Sequence, residues 1–449
     1  MESINAFLSS ASSLAWGPVM LVLLLGTGIY LTIRLKFLPL RNLFYAFSLL
    51  WKERKNDRAE GDISPFSALM TAMAATVGTG NIAGVAAALF IGGPGAIFWM
   101  WMTALVGMAT KYGEAVLAVK YREIDDDGRH VGGPMYYIKN GMGEKWKPLA
   151  FAFALFGTIA AFGIGNMVQA NAVAGAMESA FGFDNQMTGI VMMVLVGLVL
   201  FGGIKRIAKT ATALVPIMAI LYIGFSLYIL GANIDQLPSA FVTIVESAFT
   251  GSAAAGGFAG ASIILAIQFG VARGVFSNEA GLGTAPIAHA AAKTNDPVHQ
   301  GHIAMLGTFI DTIILCTMTA LVIMVTGVWT SGETGSPLTA LAFTTGLGSD
   351  FGAVFVAIAL AIFAFTTLVG WSYYGERCAE YIAGTKVITG YRVLWILAVF
   401  VGAALSNHFN TVLILADVLN ALMAIPNLIA LLVLSPVIIK LTQDSQHKK

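Results

Sequence analysis

The sequence predicts an all-α membrane protein in which one N-terminal helix precedes two groups of five transmembrane helices of opposite orientation. Three observations carry that prediction. Only 11% of the 449 residues are charged, against about 25% in soluble domains, and mean hydropathy is +0.79. The apolar residues form long continuous runs, not the roughly ten-residue alternating segments of a membrane barrel. Two of those runs are interrupted by glycine and polar residues at corresponding places in the chain.

A helix needs about 20 apolar residues to cross a hydrocarbon layer of about 30 Å. Eleven runs meet that need: 15–35, 65–91, 96–120, 148–175, 187–203, 209–231, 254–292 (interrupted), 301–328, 352–382, 388–406 and 410–440. The first has no positive residue before it, is too long for a signal-peptide core and is followed by Arg34 and Lys36, so it reads as a retained helix. Leu40–Trp51 is short, aromatic and flanked by positives, the pattern of a helix lying along the inner interface. The chain thus divides into an extra helix (1–36), an interfacial segment (37–63), a first repeat (64–231), a second repeat (232–441) and a polar tail (442–449).

Placing the helices in order tests the parse, because Lys and Arg then segregate. Arg34, Lys36, Arg41, Lys52, Arg54, Lys55 and Arg58 share the first loop; Arg122, Arg129, Lys139, Lys145 and Lys147 the third; Lys205, Arg206 and Lys209 the fifth. Lys293, Arg377, Lys386, Arg392 and the C-terminal lysines fall on the same side. The opposite loops, near 182–186, 232–251, 329–350 and 407–409, hold no Lys or Arg. The positive-inside rule then puts the N-terminus outside and the C-terminus in the cytoplasm of a cell-membrane protein. A net charge of +1 gives no reason to expect a nucleic-acid partner. Cys316 and Cys378 form neither a disulfide framework nor a CxxC motif.

Residues 71–84, TAMAATVGTGNIAG, put Gly78, Thr79, Gly80 and Asn81 in mid-span. Irregular backbone at that depth survives only against protein or a water-filled cavity; the alternative is close helix packing through small residues such as Gly80 and Gly84. The second interruption, QFGVARGVFSNEAGLGT (268–284), sets Arg273, Asn278 and Glu279 among glycines. A charge there needs a partner, and Arg273 with Glu279 or Asp311 is one pairing; a functional role is the other reading. The upstream stretch 251–262 reads as a small-residue packing face. Because each interruption opens a group of five spans, the second group starts from the opposite side, an inverted repeat with broken helices at matching positions, as in many secondary transporters.

Such breaks offer chemistry. Half-helix N-termini present free N–H groups suited to a carboxylate, and unwound carbonyls suit Na⁺, a hard cation. In Phe365–Tyr374, Thr366 and Thr367 lie mid-span with Trp371 one turn beyond Thr367; their hydroxyls either join a Na⁺ cage or bond their own i−4 carbonyls. Gln169, near Asn166, and Gln268 are either interhelical ties or substrate partners. Asp311 takes a proton or cation, or pairs structurally with Lys111 or Arg273, while Lys111 and Glu114, three apart, read as a structural pair. Trp371, Phe269 and Phe276 are the candidate walls limiting substrate size. No GxxxxGK[ST] loop, HExxH or intramembrane Ser–His pair occurs, which disfavours ATP-driven transport and enzyme chemistry. A channel is the remaining rival, and the inverted arrangement favours alternating access over it.

GGPGAIFWMWMTALVG (92–107), TVGTGNIAGVA (76–86) and ARGVFSNEAGLGTAPIAHAAAKT (272–294) together closely resemble the alanine or glycine:cation symporter family, the sodium:alanine symporters. The resemblance runs from about Trp16 to Leu441. It implies a LeuT-like fold of five plus five inverted helices after one extra helix, and uptake of alanine or glycine coupled to Na⁺, with no other cofactor. It further implies that Thr79, Gly80 and Asn81 hold the substrate carboxylate while the second broken helix, with Phe276 and Asn278, faces the amino acid from the other side; Gln169, Gln268 and Trp371 are the further substrate-site candidates read from the residues themselves. Na⁺ is then expected at Thr76, Gly78, Thr366 and Thr367. Proton coupling through Asp311 is the alternative.

Overall fold

The computed structural model describes residues 10–53, 59–250, 263–405 and 409–447. The small-residue stretch 251–262, and with it the start of the seventh expected span, lies outside them. Helix α1 (Pro18–Arg34) starts on a proline, whose missing N–H costs nothing in the first turn, and ends on Arg34, a cation suited to the negative end of the helix dipole. The short helix α2 (Leu43–Lys52) buries Ala46, Leu49 and Leu50 and turns Phe44 (87% exposed) and Trp51 (67% exposed) outward.

The first repeat runs through α3 (Pro65–Thr76), a π turn (Gly80–Gly84) and α4 (Val85–Gly92), with a bend of 54° between the two halves. Next comes α5 (Gly95–Lys120), buried continuously from Gly107 to Val119. A helix apolar almost all round belongs inside a bundle, and α5 touches α1 and the interrupted helices of the second repeat. A short antiparallel hairpin, β1 (Glu123–Ile124) with β2 (His130–Val131), follows. Then come a π turn (Ile138–Met142), α6 (Lys147–Ala160), a further π turn (Ala161–Met167), α7 (Val168–Phe181), α8 (Asn185–Leu200) and α9 (Gly203–Ala232).

The second repeat holds α10 (Leu237–Thr250), α11 (Ile263–Asn278), α12 (Ala285–Ala290) and α13 (Pro297–Thr308). After α13 come a π turn (Phe309–Cys316) and α14 (Thr317–Val325). It continues with α15 (Gly335–Leu347), the 33-residue α16 (Phe351–Ala383), α17 (Ile388–Ala404), α18 (Phe409–Val433) and α19 (Ser435–His447).

Among the described residues seven helices are long and apolar enough to cross a membrane, or eight if the bent pair α3–α4 is one span. The other expected crossings correspond to α5, which carries Lys111 and Glu114, and to α8 and α11, each 16 residues long. The loops expected at 232–251 and 329–350 contain helices: α10 buries Ala240, Ile244, Ser247 and Ala248, and α15 buries Leu338, Thr339, Ala342 and Phe343. At 14 and 13 residues they fall short of a span and lay one face on the bundle. The expected polar tail is likewise helical to His447, and Thr442 bonds Tyr112 at 2.8 Å.

At the hairpin end the two broken helices are tied together. Ile63, just before α3, bridges Ala292, just after α12. Arg122 donates to the carbonyls of Glu60, Ala290, Ala292 and Thr294 at 2.8–3.2 Å. His130 on β2 meets Asp62 at 3.1 Å. Arg377 near the end of α16 pairs with Asp125, Glu376 and Glu380.

Candidate functional site: the junction of the two broken helices

Both breaks fall where the sequence places them, and each is explained by what receives its freed backbone groups. After Thr76 the chain leaves helical geometry at Val77 (ψ 99°). The Val77 carbonyl accepts from Thr367 Oγ1 at 3.3 Å. The Gly78 amide donates to Asn81 Oδ1 at 3.0 Å, and the Thr79 amide to Gln169 Oε1 at 3.3 Å. A Cβ on Gly78 would lie 2.5 Å from Thr367 Oγ1, so only glycine lets that hydroxyl close in. Further along, Thr319 Oγ1 caps the Asn81 carbonyl (2.7 Å) and Thr339 Oγ1 the Ile82 carbonyl (3.1 Å).

At the second break Glu279 takes a left-handed conformation (φ 57°), as do Gly281 and Gly283. For a glutamate this backbone is strained and persists only where the surroundings enforce it. The Gly281 and Gly283 amides donate to Glu114 Oε1 at 3.1 and 3.2 Å, and Asn427 Nδ2 reaches the same oxygen at 2.7 Å. Asn427 Nδ2 also lies 2.9 Å from the Gly281 carbonyl and completes the cage. Glu279 accepts from Thr284 Oγ1 at 2.6 Å. Asn278 Oδ1 takes the Ala280 amide (2.9 Å) and its Nδ2 reaches Thr312 Oγ1 (3.1 Å).

Between the breaks stands Asp311, on the π turn Phe309–Cys316. Its Oδ1 accepts from Asn81 Nδ2 at 2.6 Å, and its Oδ2 from Ser277 Oγ (2.8 Å) and Thr312 Oγ1 (2.7 Å). One fully buried carboxylate thus ties the first broken helix to the second. The contact is close: a Cβ on Gly80 would meet Phe276 Cδ1 at 3.3 Å and Ser277 Cα at 3.4 Å. The junction holds carboxylate, amide and hydroxyl oxygens with freed peptide groups, the donor set of a hard cation or a carboxylate. π turns recur at functional sites because they re-aim side chains. Here Asn81 and Asp311 lie on two of them, and Gln169 follows another, Ala161–Met167, by two residues.

Several residues singled out in the sequence meet here: Gly78, Thr79, Gly80, Asn81, Gln169, Phe276 and Thr367. Trp371 stands behind them, its Cβ and ring 2.3–2.7 Å from where a Cβ on Gly165 would lie. Others go elsewhere. The Thr76 hydroxyl bonds Ala72 O (2.8 Å), and that of Thr366 bonds Phe363 O (2.8 Å) and faces Met218 Sδ (3.7 Å). Such back-bonding is the usual fate of helical threonines; Thr367 shares the Phe363 carbonyl (3.0 Å) and differs in also reaching the Val77 carbonyl. Asn278 spends its oxygen on the Ala280 amide of the break and its Nδ2 on Thr312 Oγ1. Gln268 lines a separate cavity with Arg273 and Asp417.

Among the described residues no salt bridge joins Arg273 to Glu279 or Asp311, or Lys111 to Glu114 or Asp311. Arg273 lies over the Phe276 ring at 5.6 Å, and Glu114 gives its oxygen to the backbone of the second break while Lys111 Nζ has no hydrogen-bond partner among the described residues. Val77, Ser277 and Asn427 were not expected at all. A backbone carbonyl, a serine beside bulkier candidates and an asparagine 146 residues beyond Gly281 leave no local signal.

Helices broken at mirrored points, meeting at a buried polar junction inside an apolar bundle, define a secondary transporter. The chain belongs to the sodium:alanine symporter family, whose pattern matches residues 1–449; this is a family of transporters, not enzymes. It is 52% identical over 444 residues to the sodium/alanine symporter AgcS of Methanococcus maripaludis, covering 98% of this chain and 96% of that one. It is 41% identical to the probable sodium/glutamine symporter GlnT of Bacillus subtilis, covering 98% and 90%. Among solved structures, MhsT in complex with L-phenylalanine superposes with a TM-score of 0.55 at 12% identity, over 86% of this chain and 99% of that one. The last likeness establishes the LeuT-like fold of a multi-pass membrane protein.

Proposed function

We propose that this protein is a cell-membrane symporter that moves alanine, and glycine, inward together with Na⁺ by alternating access. It would cross the membrane eleven times, with its N-terminus outside and its C-terminus in the cytoplasm. The observation that carries the reading is the first break. There the Val77 carbonyl and the Thr367 hydroxyl lie 3.3 Å apart against Gly78, oxygens ready to exchange their mutual bond for a cation. The Gly78 and Thr79 amides, now held by Asn81 and Gln169, are donors that a substrate carboxylate can claim. Identity of 52% to a sodium/alanine symporter supports the same cargo.

The substrate site consists of Thr79, Gly80, Asn81 and Gln169, with Phe276 and Trp371 as walls. The Na⁺ site is Gly78 and Thr367 with the Val77 carbonyl. The energetics suffice: one Na⁺ crossing about 100 mV gains roughly 2.3 kcal/mol, and a tenfold gradient adds about 1.4, enough for several-hundred-fold accumulation of a zwitterion.

Labelled alanine uptake into proteoliposomes, with and without an inward Na⁺ gradient, tests this. Concentrative uptake that needs Na⁺ is expected, and uptake that never exceeds equilibrium would mean a channel. A second reading, proton coupling, draws on Asp311, whose carboxylate gathers donors from both broken helices. Uptake driven by a proton gradient and indifferent to Na⁺ would decide for it.

A further inference from the structure

Glu279, singled out in the sequence, takes no direct part in the central site, yet the second break turns on it. Its amide closes α11 on the Val275 carbonyl (2.8 Å), and its own carbonyl accepts the Leu282 amide (3.2 Å). The turn requires φ 57°, a conformation that glycine adopts without cost and most side chains resist. Gly281 and Gly283, at similar angles, are glycines. A glutamate at a position where glycine is easier points to work done by its side chain.

That side chain is buried. Thr284 Oγ1 donates to its Oε2 at 2.6 Å, and the indole of Trp371, which has a single N–H to give, is directed at the same carboxylate. Of the charges that reach the carboxylate, Lys111 attracts it and Asp311 repels it. The indole is confined elsewhere as well. A Cβ on Gly165 would lie 2.3 Å from Trp371 Cβ and 2.4 Å from its Cγ, and Tyr374 meets the ring in a T-shaped contact at 5.7 Å. Contact with Gly165 and Tyr374 stops the ring from backing away, whereas a hydrogen bond to its nitrogen fixes how it is turned. Helix α16 thus touches both breaks from positions one turn apart, with Thr367 on the Val77 carbonyl and Trp371 on Glu279.

We propose that Glu279 is the positioning residue for substrate size: it holds the Trp371 indole as a fixed wall of the central site, so that glycine and alanine fit and an amino acid with a longer side chain does not. The inference rests on the reading that Trp371 walls an alanine site. Against a wall that cannot turn, one added methylene clashes, and a methylene is worth about 10–200-fold in a packed pocket. An indole released from its tether rotates and admits it. Glu279 acts through Trp371 rather than on the substrate.

The test is competition in proteoliposomes: uptake of labelled alanine against unlabelled alanine or 2-aminobutyrate, which is one methylene longer. Calorimetric binding of the two amino acids to purified protein gives the same ratio where a variant transports too slowly. E279G relieves the left-handed backbone, and E279N tolerates it with a side chain too short to reach the indole. In both, discrimination against 2-aminobutyrate should fall about tenfold, while the Na⁺ concentration for half-maximal alanine uptake stays where it is. E279Q keeps an oxygen for the indole and offers an N–H to the Thr284 hydroxyl, which can accept it, so it should discriminate like the wild type. In W371F, which lacks the indole N–H, adding E279G should change discrimination no further, the mark of two residues acting as one unit. Unchanged discrimination in E279G and E279N, an equal loss in E279Q, a further loss in the double variant, or the disappearance of all alanine binding in both E279G and E279N overturns the proposal. Wild-type protein that takes up alanine and variants that discriminate normally would overturn the positioning role alone; a wild type that takes up neither amino acid overturns the assignment of cargo as well.

Discussion

At the first break the freed groups of Val77, Gly78 and Thr79 find neutral partners, a threonine hydroxyl and two side-chain amides; at the second, the Gly281 and Gly283 amides share a buried carboxylate, Glu114. Hydrogen bonds between neutral groups contribute about 0.5–1.5 kcal/mol each, and those to a charge about 1.5–3. The first break can therefore trade its internal bonds for those of a ligand at little cost, whereas the second is anchored. One is built to exchange partners, the other to keep its shape.

The largest effect should come from removing the anchor. Glu114→Ala orphans two buried amides, a penalty of about 2–6 kcal/mol at about 1–3 each, and a melting curve in detergent should show the loss. Glu114→Gln, which keeps an acceptor oxygen, should be much milder. Equal melting of both variants would mean that the Gly281 and Gly283 contacts do not hold the break.

Asn81→Ala acts on the exchangeable side. It removes the Gly78 acceptor and one Asp311 donor, and alanine affinity measured by calorimetry should fall at least about tenfold, roughly 1.4 kcal/mol, with a melting shift no larger than that of Glu114→Ala. Unaltered affinity would move the carboxylate site elsewhere.

A smaller effect separates the adjacent threonines. Thr367→Val should weaken the Na⁺ dependence of uptake by about tenfold, whereas Thr366→Val, which loses only bonds to Phe363 O and Met218 Sδ, should leave it within about twofold. Equal shifts in the two Na⁺ titrations would refute the division of labour.

Smallest in its expected effect on transport, though informative for selectivity, is Gly165→Ala. The new methyl would press on Trp371, with an overpacking cost of about 1–3 kcal/mol, and push the indole toward the centre. Competition uptake should show alanine losing more than glycine; a parallel loss would remove Trp371 as the size limit.

How far the chain could be read follows from what is local. Gly78, Gly80 and Asn81 mark the first break because two glycines and an asparagine together weaken helix in an apolar run, and Gly281 and Gly283 do the same for the second. Thr367 was legible by its spacing from Trp371, but its neighbour Thr366 looks identical in sequence and differs only by rotation about the helix. The carboxylate of Asp311 stood out, yet its partners Asn81 and Ser277 come from other helices and only packing reveals them. Glu114 reads as the mate of Lys111 three residues away, and the fold instead spends it on glycines 167 and 169 residues further along. The helices α10 and α15 escaped because segments of 14 and 13 residues lack the length by which spans are recognised.

The bridge from Ile63 to Ala292, backed by Arg122, lashes the entry of one broken helix to the exit of the other. Mechanically these two elements then behave as a single lever on the hairpin side of the membrane. A swing that carries both together leaves the lashing untouched, while any path that pries them apart has first to peel a strand pair and strip a guanidinium of its carbonyls.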